Sequence, residues 1–185
     1  MLQQSRYLIT TLHPWEQDSR ALLLTKGGSG EHDIRPNAHT VYSLAVGYRY
    51  VKDGYLPDLS PEICRDKAIA ILRFVLSTHG AGDKLCNDNK KWHNQWQSAL
   101  WASSVGKACW LLWDELEPEL QWLAARMICD EADRFVDKIP PARIDSDTKA
   151  EENAWNSTII SLAYAMFPRH PNNEVWRETA IRSLQ

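Results

Sequence analysis

WHNQWQSALWASSVGKACWLLWDEL, residues 92 to 116, holds five of the chain's nine tryptophans. Small residues (Ala99, Ala102, Ser103, Ser104, Gly106, Ala108) run between them and no proline interrupts, so the stretch predicts one long helix. Apolar and small side chains occur nearly all the way round from Ala99 to Trp113. That pattern predicts an interior helix packed on several sides. The first turn differs: Trp92, His93, Asn94, Trp96 and Gln97 mix aromatic faces with imidazole and amide groups. Polar groups in such a place either cap the helix or face a cavity.

Working outward, residues 3–12 read as a short amphipathic helix ending before His13-Pro14. TKGGSGEHDIRP (25–36) reads as a loop without either phosphate-loop glycine pattern, and Pro36 as the start of a helix running through Val51. After the loop DGYLPDLSP (53–61), Ser60 as cap and Pro61 at the first position open a helix to about Thr78. Ile63, Ala70, Ile71, Phe74 and Val75 give that helix one apolar face, with Arg65, Asp66, Lys67 and Arg73 read as solvated, which predicts an outer element. Residues 119–139 form another amphipathic, outer helix. Residues 150–167 form a mostly uncharged one, and a last amphipathic helix begins at Asn173.

The order repeats. Mostly uncharged helices start near residues 36, 92 and 150, separated by 56 and 58 positions, and a charged amphipathic helix follows each. Helix pairs at a fixed period predict an all-α stack of hairpins, open or closed into a ring, as one domain over 1–185. Each uncharged helix follows a polar loop: EHDIRPN, GDKLCNDNKKWHN and RIDSDTKAEEN. In such a stack these loops lie at one end, around a shared hollow, and function is expected there.

The totals restrict the class. A net charge of -3, with no basic run, gives no expectation of nucleic acid. No apolar stretch is long enough to span a bilayer, and the N-terminus lacks a signal-peptide pattern, so cytoplasm is the default expectation. Cys64, Cys86, Cys109 and Cys129 are widely spaced with no CxxC, which predicts buried free thiols; an extracellular disulfide protein stays open as the alternative. No HExxH or Cys/His spacing predicts a metal, and no cofactor is expected.

The combination of EHDIRPN (31–37), WHNQWQSALWA (92–102) and DTKAEENAWN (147–156), on alternating inner and outer helices, resembles the (α/α) toroid of heparinase II/III-like and alginate-lyase-like polysaccharide-degrading enzymes. The resemblance covers residues 30 to 185 and implies a carbohydrate-active protein. Toroids of that family carry more helix pairs than are read here and usually a following β-sandwich, which predicts a fragment or a small relative with an open cleft.

On their own chemistry, Trp92, Trp96, Trp101 and Trp155 are candidates to stack on sugar rings, with His32, Asn94, Gln97, Asn153 and Asn156 as hydrogen-bonding neighbours. A lyase acting on uronic acids neutralises the substrate carboxylate and then removes the C5 proton. Arg35, Asn37 or Asn94 suits the first task, and His39, His93 or Tyr42 the second. Glu151 and Glu152 are adjacent, so they point about 100° apart and do not form an acid/base pair; Glu152, sharing a face with Asn156, is preferred. The expected function is β-elimination on a uronate-containing oligo- or polysaccharide.

The alternatives are a glycoside hydrolase with Glu152 as acid and Asp83, Asp88 or Asp145 as second carboxylate, or a non-catalytic helical scaffold. An unfinished ring would expose apolar residues near Ile159 to Phe167, which predicts dimerisation or completion by further chain.

Overall fold

The computed structural model describes residues 2–50, 59–137 and 149–183. Seven helices and one small hairpin appear among them. These are α1 (Leu2–Ile9), β1 (His13–Trp15), β2 (Asp18–Leu23), α2 (Glu31–Tyr50), α3 (Pro61–Ser77), α4 (Ser98–Leu112, followed by a 3-10 turn), α5 (Pro118–Asp133), α6 (Lys149–Met166) and α7 (Asn173–Arg182). The described residues are all-α apart from the hairpin. No helix among the described residues is long and apolar enough to cross a membrane.

Helix α4 is the interior element that its sequence predicts. Trp101, Ala102, Val105, Ala108, Cys109 and Leu112 are buried, and α4 touches α2, α6, α5 and α3. Gly106 is what lets α6 come close, because a Cβ there would lie 2.5 Å from Leu162 Cδ2. The Ser103 hydroxyl also reaches across to the Trp155 carbonyl at 3.3 Å. Consecutive helices form neighbouring pairs (α2 with α3, α4 with α5, α6 with α7), while α2, α4 and α6 contact one another in that order. The N-terminal ends of α2, α4 and α6 therefore meet the C-terminal ends of α3 and α5.

Helix α4 starts later than its composition predicts. Trp92 is paired with His79 in a parallel bridge and Asn94 sits in the left-handed region at φ 48, so Trp92 to Gln97 form a loop rather than a first turn. Helix α2 starts earlier, at Glu31, with Pro36 inside it. A proline so near the start forfeits little, because it breaks only the bond to the residue 32 carbonyl, and the first-turn acids Glu31 and Asp33 favour the helix dipole. Helix α3 starts where predicted, with Ser60 Oγ accepting the Ile63 N–H. Its C-terminal half is central rather than outer, however. Arg73 is only 7% exposed and reaches Glu117 at 2.7 Å, at the start of α5.

The hairpin has no counterpart in the sequence reading. Strand β2 packs on α3, and Trp15 is buried edge-on against Phe74 at 5.2 Å while its indole donates to Asn87 Oδ1 at 2.9 Å. One hydrophobic core runs from Trp15 to Trp176. Ile159, Ile160, Leu162 and Ala163 belong to it, which leaves Tyr164 as the exposed large apolar side chain in the stretch expected to form a patch. Cys64, Cys86 and Cys109 are buried and Cys129 half-buried, all as free thiols.

Candidate functional site

Parts of the three polar stretches predicted to converge lie together: the start of α2, the loop before α4 and the start of α6, with residues 138–148 outside the described residues. The Arg35 guanidinium donates to Glu31 Oε1 at 2.9 Å and to Gln97 Oε1 at 3.4 Å, joining the start of α2 to the loop before α4. One residue before Gln97, the Trp96 indole N–H donates to Glu152 Oε1 at the start of α6, and the Trp96 and Trp155 rings meet edge to face at 6.3 Å. Trp96 remains 54% exposed although its N–H is bonded. Arg35, Gln97, Trp96, Glu152 and Trp155 thus form one contiguous group, of which Gln97 and Glu152 are buried.

Two clefts adjoin it. One, of about 660 Å³, lies between α1, α2 and α4 and is lined by Arg35, His39, Tyr42, Ser104 and Lys107. The other, of about 860 Å³, lies between α4 and α6 and is lined by Lys107, Trp110, Asn153 and Ser157. Lys107 belongs to both, with its ammonium 4.9 Å from the Tyr42 ring centre. Burial, then the Arg35 and Lys107 charges, hold the His39 imidazole below its ordinary 6.5, so it is neutral at pH 7. Burial also lowers the Lys107 ammonium.

Other predicted residues lie elsewhere. Asn37 is fully buried: its Oδ1 accepts the Leu24 N–H, and its Nδ2 donates to Thr25 Oγ1 and the Asp33 carbonyl. It is a structural clamp for the loop before α2, with nothing left for a substrate. Trp92 and Trp101 are core residues, 0% and 1% exposed, and cannot stack on a ligand. Asn94 accepts from Arg134 Nη2 at 3.1 Å instead of facing Arg35. His32 is exposed and Asn156 half-buried. Of the second carboxylates considered for hydrolysis, Asp88 accepts both the Ser29 N–H and hydroxyl, and Asp145 lies outside the described residues.

A second polar group, unread in the sequence, sits on the other side of the 92–97 loop. His79 and Glu131 are both fully buried, with His79 Nε2 3.1 Å from Glu131 Oε1. The Ala81 N–H donates to His79 Nδ1 at 3.0 Å, so the ring proton is on Nε2 and is donated to the carboxylate. Arg134 Nη1 donates to both Glu131 oxygens, at 2.6 and 2.7 Å, and to Ser98 Oγ at 2.9 Å. Burial pushes the Glu131 carboxyl up, but the His79 hydrogen bond and the Arg134 charge outweigh it, and the group is held below its ordinary 4.5. Burial in turn holds His79 below its usual value, against the pull of Glu131.

His93 completes the group. Its Nε2 lies 2.9 Å from Asp130 Oδ2 and 3.8 Å from Glu131 Oε1, and its side chain lies against Gly80, where a Cβ would come within 2.6 Å of Cγ. Of this cluster the sequence singles out His93 alone, as a candidate base; His79, Asp130 and Glu131 lie on or beside helices that read as amphipathic. No family model, curated protein or solved structure matches the chain.

Proposed function

We propose that the three helix pairs are successive hairpins of an (α/α) toroid and that its concave side binds a uronate-containing polysaccharide and cleaves it by β-elimination. The observation that carries this reading is the cleft in which two cations, Arg35 and Lys107, flank the neutral imidazole of His39. The cations suit a substrate carboxylate and make its neighbouring C–H more acidic. A neutral imidazole is the form that accepts a proton. His39 takes the C5 proton, the C5–H electron pair becomes the C4–C5 double bond, and the C4–O glycosidic bond breaks with its pair on the oxygen. The departing oxygen takes its proton from Tyr42 or from water. Trp96, exposed and held by Glu152, offers an apolar face for a sugar ring, with Gln97 and Trp155 beside it.

The test is a panel of uronic-acid polysaccharides, followed by absorbance of the unsaturated product. Turnover is expected on at least one, and His39→Gln is expected to lower kcat by about 10²- to 10⁴-fold. Because the base must be unprotonated and its imidazole is depressed, kcat/KM should fall on acidification with a midpoint below pH 6.5. Silence across the panel from folded protein, or full activity in His39→Gln, rules out this assignment. Trp96→Ala is expected to weaken polysaccharide binding, read by intrinsic fluorescence, while leaving the melting temperature almost unchanged.

A further inference from the structure

We propose that His93, Asp130 and Glu131 form a binding site for a divalent transition-metal cation of the zinc or manganese class. Potential ligand atoms of His79, His93, Asp130 and Glu131 all lie within 4.8 Å of one another, brought from the end of α3, the loop before α4 and the last turn of α5. Convergence of this kind is not sufficient alone. The telling feature is that His93 Nε2 and Asp130 Oδ2 are buried atoms only 2.9 Å apart, yet neither makes a hydrogen bond to the other or to any other described residue. Burying two polar atoms without a bond is unfavourable. A cation between them satisfies both.

The distances fit. Two ligands each about 2.1 Å from a metal lie roughly 2.9 Å apart when the angle between them is near 90°. The 3.8 Å from His93 Nε2 to Glu131 Oε1 corresponds to a wider angle, about 130° on the same bond lengths. His79 is not one of the ligands, because its Nδ1 already accepts the Ala81 N–H and its Nε2 proton faces Glu131. It is a positioning residue that, with Arg134, aims the Glu131 carboxylate, as outer partners of metal ligands do. Charge agrees as well. Arg134 offsets one of the two carboxylates, and a divalent cation more than offsets the other.

One imidazole with two carboxylates suits zinc or manganese better than calcium or magnesium, which favour all-oxygen sites. The His93 and Asp130 side chains are 33% and 42% exposed, so an ion can enter and can keep water in its remaining positions. Because Arg134 also holds Asn94 and Ser98, the ion would stiffen the loop that carries Trp96. The proposal does not depend on what that loop binds.

The test uses the whole chain, stripped with chelator, equilibrated with Zn²⁺ or Mn²⁺ and dialysed before elemental analysis. One equivalent per chain is expected. Asp130→Asn and His93→Gln should each weaken binding by at least tenfold, His79→Gln by about 10- to 100-fold, and His32→Gln, at an exposed histidine, not at all. Should a variant fail to fold, Co²⁺ added to the wild-type chain gives an independent reading: visible absorption that one equivalent of Zn²⁺ abolishes. Absence of a retained equivalent, or an equivalent that survives both Asp130→Asn and His93→Gln in folded protein, overturns the proposal. The close approach of His93 and Asp130 is then a contact within the protein and not a metal site.

Discussion

Glu131→Ala is expected to cost about 3–5 kcal/mol of stability in metal-free protein, the range for removing one partner of a buried charged pair. Glu131 is fully buried and accepts hydrogen bonds from His79 and Arg134. Without it, the buried His79 N–H has no acceptor, and a guanidinium only 17% exposed has lost its carboxylate. Arg134 also loses the anchor from which it reaches Asn94 and Ser98, so the loop before α4 loosens with it. Glu131→Gln keeps the shape and one acceptor and should cost less, about 1.5–3 kcal/mol, the worth of hydrogen bonds to a charged group. Urea denaturation measures both. Glu174→Ala, which breaks the exposed Arg177 pair at 2.6 Å, is the contrast and should leave the midpoint almost unchanged. A Glu131→Ala midpoint no lower than that of Glu174→Ala would show that the cluster contributes nothing to stability.

Trp92→Ala should be comparably damaging, about 3–5 kcal/mol, as for other large aromatic truncations in a core. Its side chain has no exposed surface, and its indole donates to the Val75 carbonyl near the end of α3 at 2.7 Å. It also meets His79 edge to face at 4.6 Å. The backbone does as much: Trp92 N–H donates to Thr78 O, and Gly80 N–H to Trp92 O. The substitution therefore opens a cavity and orphans a helix-end carbonyl at the point where the loop 79–92 is fastened. Trp92→Phe should recover most of the packing but not the hydrogen bond. Equal denaturation midpoints for Trp92→Ala and Trp96→Ala would contradict this account, since Trp96 is half exposed.

The misreading of Trp92 shows what the sequence could not convey. The stretch from Trp92 to Leu116 contains no proline and only one glycine, so nothing in its residue types announces a break. The break is made by Asn94 in the left-handed region, which asparagine tolerates better than most residues, and by pairing with His79, far away in sequence. Ser60-Pro61 was readable because a capping serine and a first-turn proline act locally. Arg73 was not, because its burial depends on Glu117, on a different helix. The hairpin escaped for a similar reason: its three- and six-residue strands are short, and the anchor of Trp15 is Asn87.

The site divides along the same line. Arg35, Gln97 and Glu152 follow polar loops placed before three similar helices, so periodicity brings them to one end. Asn37 and Trp101 lie in equally suggestive surroundings, but the backbone near Thr25 claims the first and the core the second. His79 and Glu131 come from helix ends that looked merely amphipathic. Their pairing is set wholly by how α3 packs on α5.

Lys107 stands on the ridge between the two hollows beside α4. A single ammonium can turn to only one side at a time, so an anionic guest in either hollow draws it away from the other. Short anions would then exclude each other without ever touching, whereas one long chain laid across the ridge would meet the charge once and suffer no such competition.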